Sequence, residues 1–357
     1  IREQAVKPIE RMLRLSWIRR KDSYFTNKMN TNIQWLTLLR TINIILVVMF
    51  HIQLIDLSTG ENHEICNLIC YPFNPIRMPL FIFISGGLLY VSRLSRNWIT
   101  LDLYKDKIIR IAIPFIFFVN VYFFVKAVLN NFVKTPIDIS LDYYIESFVI
   151  YPNHPSAPLW FLATLMTLML LYPLYKYACK NNIVMAATML VGIVIYFMDF
   201  GELFTYNCFN ISNINLYFVY FFFGIAFFRY SLFKYIDNIL SLAVLLVIYV
   251  VSYNLDYIFM ASIFGILLMI SLSILLSKRI NIDFSFIGNN IYQIYLMSFI
   301  FQAFVELVLW KKLFYNENIL LVFYLLNLSF GIFMPLLVTK IVKKCPLRIL
   351  RLCFGIK

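Results

Sequence analysis

Long apolar runs separated by short basic clusters recur along the chain from about residue 35 onward. Each run approaches the twenty residues that a helix needs to cross about 30 Å of hydrocarbon. Ten such runs can be placed, at 35–55, 74–92, 108–129, 158–178, 183–200, 212–228, 236–253, 257–277, 286–310 and 318–342. The sequence therefore predicts an all-α fold, a polytopic integral membrane helix bundle with about ten transmembrane helices.

The charged residues argue against a soluble or nucleic-acid-binding protein. Only 14% of the residues are charged and 62% are hydrophobic, whereas about one quarter of a soluble domain is charged. The net charge of +13 comes mainly from basic clusters between the runs, as the positive-inside rule describes. The loops of the opposite side carry only Arg77, Lys134, Lys311 and Lys312. Both termini are therefore predicted to be cytoplasmic.

Three regions follow from this pattern. Residues 1–34 form a basic cytoplasmic segment that lacks the apolar centre of a cleavable signal peptide. Residues 35–342 form the transmembrane domain, and residues 343–357 form a basic cytoplasmic tail. Cys66 and Cys70 can form a disulfide, although two free thiols are the preferred interpretation. The acidic residues show no calcium or zinc pattern, so no metal is predicted.

Two polar residues interrupt the first apolar run. Arg40 and His51 are eleven residues apart, which is about three helical turns and about 16 Å of rise, so they share one helix face. An arginine within a span costs roughly 2.5–3.5 kcal/mol and normally faces a bundle interior, but snorkelling explains Arg40 equally well. A buried neutral imidazole can serve as a general base. A structural histidine is an equally good interpretation of His51.

Polar residues near the ends of later runs are further candidates. The Gly86–Gly87 pair permits close helix approach, and Ser85 beside it can donate a hydrogen bond into the bundle. Packing alone is a sufficient interpretation of this motif. Lys107 and Arg110 can bind phosphate or anchor their helix at the cytoplasmic surface. Trp160 fits the aromatic belt of a membrane interface.

The order of these pieces resembles the membrane acyltransferase-3 family, bacterial integral-membrane enzymes that O-acylate sugars of surface polysaccharides. The matching pieces are Arg40 with His51, the stretch PLFIFISGGLLY, the basic cluster before Pro114, the stretch PLWFL and the late stretch IGNNIYQIYL. The likeness covers most of the chain from about residue 35. It implies that residues 35–342 form an acyltransferase domain with cytoplasmic termini.

The resemblance also implies a reaction. An acyl group, most often acetyl, passes from coenzyme A to a hydroxyl of a cell-surface or lipid-linked saccharide. His51 is then the catalytic residue, and Arg40 occupies the family's second position on the same helix. The remaining implied site residues are Lys107 and Arg110 for the donor's phosphates, and Arg77, Ser85 and Trp160 for the substrate. Acetyl-CoA, or another acyl-CoA, is expected as a co-substrate rather than a permanently bound cofactor.

The expected partners are membrane lipids and a saccharide acceptor, without nucleic acid, in the inner (cytoplasmic) membrane of a bacterium. Because coenzyme A is cytoplasmic and His51 lies towards the outside, we expect a channel along the face shared by Arg40 and His51. A transporter or flippase of a lipid-linked saccharide is the alternative function. A polysaccharide polymerase ranks third, because the outer loops hold few cations for a pyrophosphate.

Overall fold

The computed structural model describes residues 34–54, 62–130, 136–149, 154–198, 209–280, 283–313 and 317–356. The first helices are α1 (Gln34–Phe50), α2 (Glu64–Cys70), α3 (Asn74–Ser92), α4 (Thr100–Lys107), α5 (Ile113–Val128), α6 (Leu141–Glu146), α7 (Trp160–Leu170) and α8 (Tyr172–Ala178). They are followed by α9 (Asn182–Tyr196), α10 (Ile214–Arg229), α11 (Ile239–Asn254), α12 (Ile258–Arg279), α13 (Ser285–Gly288), α14 (Ile291–Phe304), α15 (Leu320–Lys344) and α16 (Arg348–Cys353). Two π-helical segments, Ile108–Ala112 and Val305–Leu313, connect α4 to α5 and extend α14.

Within the described residues, each of the ten predicted runs overlaps helical structure. Six helical segments of the described chain are long and apolar enough to cross a membrane: Glu64–Arg96, Thr100–Val128, Ile211–Arg229, Ile258–Arg279, Ile291–Lys311 and Leu320–Lys344. The bent pair of α7 and α8 makes a seventh, while α1, α9 and α11 are shorter apolar helices. The helical bundle is thereby confirmed, and the count of ten spans stays a prediction, as does the orientation of the termini.

The second and fourth spans differ in shape from their predictions. The second helical segment begins at Glu64, ten residues before the predicted start, and α2 holds Cys66 and Cys70 as free thiols. The fourth span, predicted as one helix, is bent by 54° between Leu170 and Tyr172. Pro173 explains this bend, because proline has no backbone N–H to donate and its ring clashes with the carbonyl of the preceding helical turn.

Glycines allow α3 and α10 to pack backbone against backbone. A Cβ atom placed on Gly86 would lie 2.0 Å from the backbone oxygen of Phe221. A Cβ atom on Gly224 would lie 2.0 Å from the backbone oxygen of Phe83. Distances below 3.0 Å are essentially never seen for real Cβ atoms, so the two helices fit together only as glycines at these points. The close approach predicted from the sequence is confirmed.

Helix α1 lies inside the bundle. Its side chains Leu39, Ile44 and Val48 are completely buried. The Nε2 amide of Gln302 in α14 donates a hydrogen bond of 2.9 Å to the backbone oxygen of Val48. Gly331 of α15 also contacts Val48, because a Cβ there would lie 2.6 Å from a Val48 methyl carbon. The helix that carries Arg40 is therefore held by its neighbours in the interior.

The predicted tail folds back onto the bundle. Helix α16 contacts α5, and the ring of Phe354 lies 5.6 Å from that of Phe117 and 5.3 Å from that of Phe118, between centroids. The Nε2 amide of Gln293 donates to the backbone oxygen of Phe354 at 3.0 Å. The tail thus covers α5 and α14 at the end where α14 begins.

Candidate functional site

A cavity of about 420 Å³ lies at the end of α1, and we call it the His51 cavity. His51 follows the last residue of α1, and its ring meets those of Phe50 and Phe299 edge to face, at centroid distances of 6.2 and 5.8 Å. The wall also includes the ends of α5 and α14, which lie on the same predicted side of the membrane as His51. His51 therefore faces a space that a substrate can occupy, and not lipid alone.

Glu306 is the carboxylate that the described residues contribute to this cavity, and it was not singled out from the sequence. It lies in the π-helical segment that extends α14 and lines the same cavity as His51. Its Oε1 atom accepts a hydrogen bond of 2.7 Å from the backbone N–H of Gln53 and one of 3.2 Å from the Nδ2 amide of Asn327. The signal was present, because an ionisable residue inside a span is by default a candidate for function. π-Helical segments are also frequent at functional sites.

A second cavity of about 150 Å³ contains Arg40, and we call it the Arg40 cavity. Ser85 and Tyr292 also line it, so two of the predicted site residues, Arg40 and Ser85, are brought together here. The Tyr292 hydroxyl is buried and has no hydrogen-bond partner within the described chain. In the same ranges, no carboxylate forms an ion pair with Arg40. Among the residues that the structure describes, the cavity therefore offers a cation without a carboxylate partner beside an unbonded hydroxyl donor.

A partition of aromatic side chains separates the two cavities. They share no lining residue. Tyr295 of the Arg40 cavity donates a hydrogen bond of 2.7 Å to the backbone oxygen of Pro158, which lines the His51 cavity. The ring of Phe161 packs 5.3 Å from that of Tyr295. In place of the continuous channel predicted along the shared face, the structure thus has two chambers separated by an aromatic contact.

Trp160 lies in the wall of the His51 cavity, whereas Arg77 does not. The guanidinium carbon of Arg77 lies 3.1 Å from the centroid of the Phe50 ring, and its Nη2 donates to the Oδ1 atom of Asn74 at 3.2 Å. Arg77 faces a small crevice instead. Arg77 thus lies behind Phe50, the neighbour of His51, and its expected role in the substrate site stays a prediction.

Lys107 and Arg110 lie at the π-helical segment before α5, outside both cavities. Asp106 is the local carboxylate, and its two oxygens pair with the Nε of Arg110 at 2.9 Å and an Nη of Arg93 at 3.1 Å. The Arg110 side chain is nevertheless 45% exposed. Phosphate binding by these residues stays a prediction, and Asp106 offsets part of their charge.

His154 closes the His51 cavity on the side of α6. Its side chain is buried, its Nε2 atom lies 3.6 Å from the Oε2 atom of Glu146, and the ring of Tyr143 packs 4.5 Å away. Its Nδ1 atom has no hydrogen-bond partner among the described residues. Burial lowers the pKa of His154 although Glu146 opposes the shift, so this ring is neutral at pH 7.

The comparisons with known proteins bear directly on these cavities. The acyltransferase-3 family model, described as an acyltransferase domain, matches residues 33–339 of the 357-residue chain. Neither the comparison with curated proteins nor the comparison with solved structures gave a match. The matched range contains α1 to α14 and most of α15, and so includes both cavities. The chain therefore belongs to the membrane acyltransferase-3 family.

Proposed function

We propose that this protein is a membrane O-acyltransferase that moves an acyl group, in the first instance acetyl, from coenzyme A to a hydroxyl of a saccharide. The observation that carries the proposal is His51 in the wall of a 420 Å³ cavity, in a chain that belongs to an acyltransferase family. The saccharide occupies the His51 cavity, where the Trp160 ring provides a flat apolar wall. The setting is the inner membrane of a bacterium, with both termini cytoplasmic.

In the direct route, His51 is the general base. The acceptor oxygen attacks the thioester carbon, the new C–O bond forms and the C–S bond breaks, while the hydroxyl proton moves to His51. That proton then passes to the departing sulfur, which leaves as the coenzyme A thiol. In the alternative route, a nitrogen of His51 attacks the thioester carbon, the C–S bond breaks and coenzyme A leaves as the thiol with the imidazole proton. The acceptor oxygen then attacks the acyl-imidazole, the C–N bond breaks, and the hydroxyl proton returns to the imidazole.

The donor enters from the side of the Arg40 cavity. Arg40 and the Tyr292 hydroxyl are hydrogen-bond donors without a carboxylate partner in the described chain, and they suit the polar groups of the pantetheine arm. Lys107 and Arg110 hold the donor's phosphates further towards the cytoplasm. Since Arg40 and His51 are separated by about 16 Å of helix rise, the arm must displace the Tyr295 contact to deliver its acyl group.

The test uses the full chain in lipid nanodiscs with radiolabelled acetyl-CoA and a mixture of bacterial surface oligosaccharides. We expect label on the saccharide, stoichiometric release of coenzyme A, and loss of the label under mild alkali, which cleaves esters. A chain that moves a lipid-linked saccharide across vesicles without any acyl donor, and transfers no label, supports the transporter instead.

Glu306 acts on His51 in this proposal as a positioning residue, because a carboxylate in the same cavity stabilises the imidazolium that forms on proton uptake. Glu306→Gln keeps an oxygen for the Gln53 and Asn327 donors but removes the charge. We expect kcat to fall roughly 10- to 100-fold, because the transition state loses one charge-assisted interaction. Little change is expected in KM for the donor or in thermal stability.

The matched control for Glu306 is Glu64→Gln, since Glu64 is an exposed acid at the start of α2. This variant is expected to retain the wild-type rate. If Glu306→Gln retained the wild-type kcat, Glu306 would have no role in catalysis and would serve only to hold Gln53 against Asn327 of α15. If the variant instead lost thermal stability together with activity, the carboxylate would be structural.

A further inference from the structure

Two lysines line the His51 cavity and have no carboxylate partner among the described residues. Lys126, near the end of α5, is partly buried, and Lys311, in the π-helical segment after α14, is exposed. Neither forms an ion pair within the residues that the structure describes. Glu306 is the one described carboxylate in the cavity wall, and its Oε1 atom is engaged by Gln53 and Asn327. The described wall thus carries an excess of positive charge.

A third group of the wall is also unsatisfied. The side chain of His154 is only 9% exposed, and its Nε2 atom is turned towards Glu146. The Nδ1 atom is buried and has no partner in the described ranges. A neutral imidazole with its proton on Nε2 leaves Nδ1 as an acceptor. A buried polar atom without a partner is costly, and a hydroxyl of a bound sugar removes that cost.

We infer that the acceptor is an anionic saccharide, whose carboxylate or phosphate pairs with Lys126 and Lys311 while a hydroxyl of the same sugar donates to Nδ1 of His154. This inference rests on the proposed function, because it names the class of acceptor for the same cavity. A partly buried ammonium has lost hydration that only an opposite charge restores effectively. Charge-assisted hydrogen bonds to carboxylate or phosphate are among the stronger contacts available to lysine.

Binding is measured without any acyl donor, by ligand-observed NMR titration of the full chain in nanodiscs. The probes are methyl glucuronide, its neutral counterpart methyl glucoside, glucose 6-phosphate and inorganic phosphate. We expect the glucuronide or the sugar phosphate to bind about tenfold more tightly than the glucoside. One charge-assisted hydrogen bond contributes an affinity difference of about this size. A preference between these two probes separates a carboxylate from a phosphate acceptor. Binding of inorganic phosphate alone indicates an anion site unrelated to the sugar and overturns the inference.

The variant Lys126→Gln identifies the source of the preference. We expect it to bring glucuronide binding down to the level of the glucoside and to leave glucoside binding unchanged, with Lys311→Gln showing a smaller effect because that side chain is exposed. The control is Lys180→Gln, an exposed lysine at the opposite predicted side, which keeps the wild-type preference. Equal affinity for charged and neutral sugars in the wild type overturns the inference, as does an equal loss for both in Lys126→Gln.

Failure of this inference and failure of the proposed function give different results. Transfer of acetyl to neutral and charged sugars at equal kcat/KM removes the anionic acceptor and leaves the acyltransferase. A charge-selective binding that depends on Lys126, without transfer to any sugar, keeps the anionic site and removes the acyltransferase. The two measurements together therefore assign each outcome to one proposal.

Discussion

The variant His51→Ala is expected to transfer acyl groups roughly 10²- to 10⁴-fold more slowly than the wild type, which is the usual contribution of a general base. The same loss is expected in the direct and the acyl-enzyme routes, because both use the imidazole of His51. The measurement is mass spectrometry of surface polysaccharides from cells that make either chain, followed by initial rates in nanodiscs. The O-acyl mass should be present with the wild type and absent with the variant.

The matched pair for this experiment is His51→Gln and His63→Gln. His63 precedes α2 and packs against the ring of Trp310, at a centroid distance of 6.3 Å, outside the His51 cavity. We expect full activity in His63→Gln and a large loss in His51→Gln, since glutamine is not a base. An O-acyl mass that persists in both His51 variants would remove His51 from the mechanism.

Donor-only incubation separates the two routes. Without acceptor, the acyl-enzyme route leaves an added acyl mass on the intact wild-type chain, which is absent from His51→Ala. In the direct route, the wild-type mass stays unchanged whether or not the acceptor is present. The cavity geometry is compatible with both routes, and the intact mass discriminates between them.

The second large effect is expected from Gly224→Ala. The new methyl group would lie 2.0 Å from the backbone oxygen of Phe83, so α3 and α10 must separate. Overpacking typically costs roughly 1–3 kcal/mol and occasionally more, and a clash with backbone, which cannot rotate away, belongs at the upper end. We expect a large loss of monodisperse protein after extraction and a lower unfolding temperature in detergent.

Gly192→Ala is the control for this substitution. Gly192 lies in α9, and its Cβ would meet a ring carbon of Phe218 at 3.0 Å, a side chain that can shift. The helix propensity gained by alanine, roughly 1 kcal/mol, offsets that adjustment. If Gly224→Ala were as stable as Gly192→Ala, the contact between α3 and α10 would be looser than the structure has it.

The sequence was sufficient to predict the helices, and to predict which helix carries the candidate site. An apolar run indicates directly that its segment is buried in lipid or protein. The placement of Arg40 and His51 on one face follows from their spacing and helix geometry alone. Both residues do line cavities. The bend at Pro173 could also have been foreseen, because proline within a helix has a known cost.

The rest depends on contacts between distant parts of the chain. Glu306 joins Gln53 to Asn327, and no local pattern reveals which neighbours a carboxylate meets. The resemblance implied Arg77 for the substrate site, but only the folded chain shows that its guanidinium stacks on the ring of Phe50. The partition at Tyr295 likewise needs two segments, far apart in sequence, to meet.

That partition has a consequence for the cell as a whole. An open aqueous pore between the two membrane faces would let protons and small ions leak down their gradients, and the membrane would lose its voltage. The hydrogen bond from Tyr295 to Pro158, backed by the Phe161 ring, stands between the two cavities and so keeps them from forming such a pore. In the proposed reaction, the acyl-bearing arm that displaces the tyrosine also occupies the gap it opens, so the two cavities stay separated for ions during transfer.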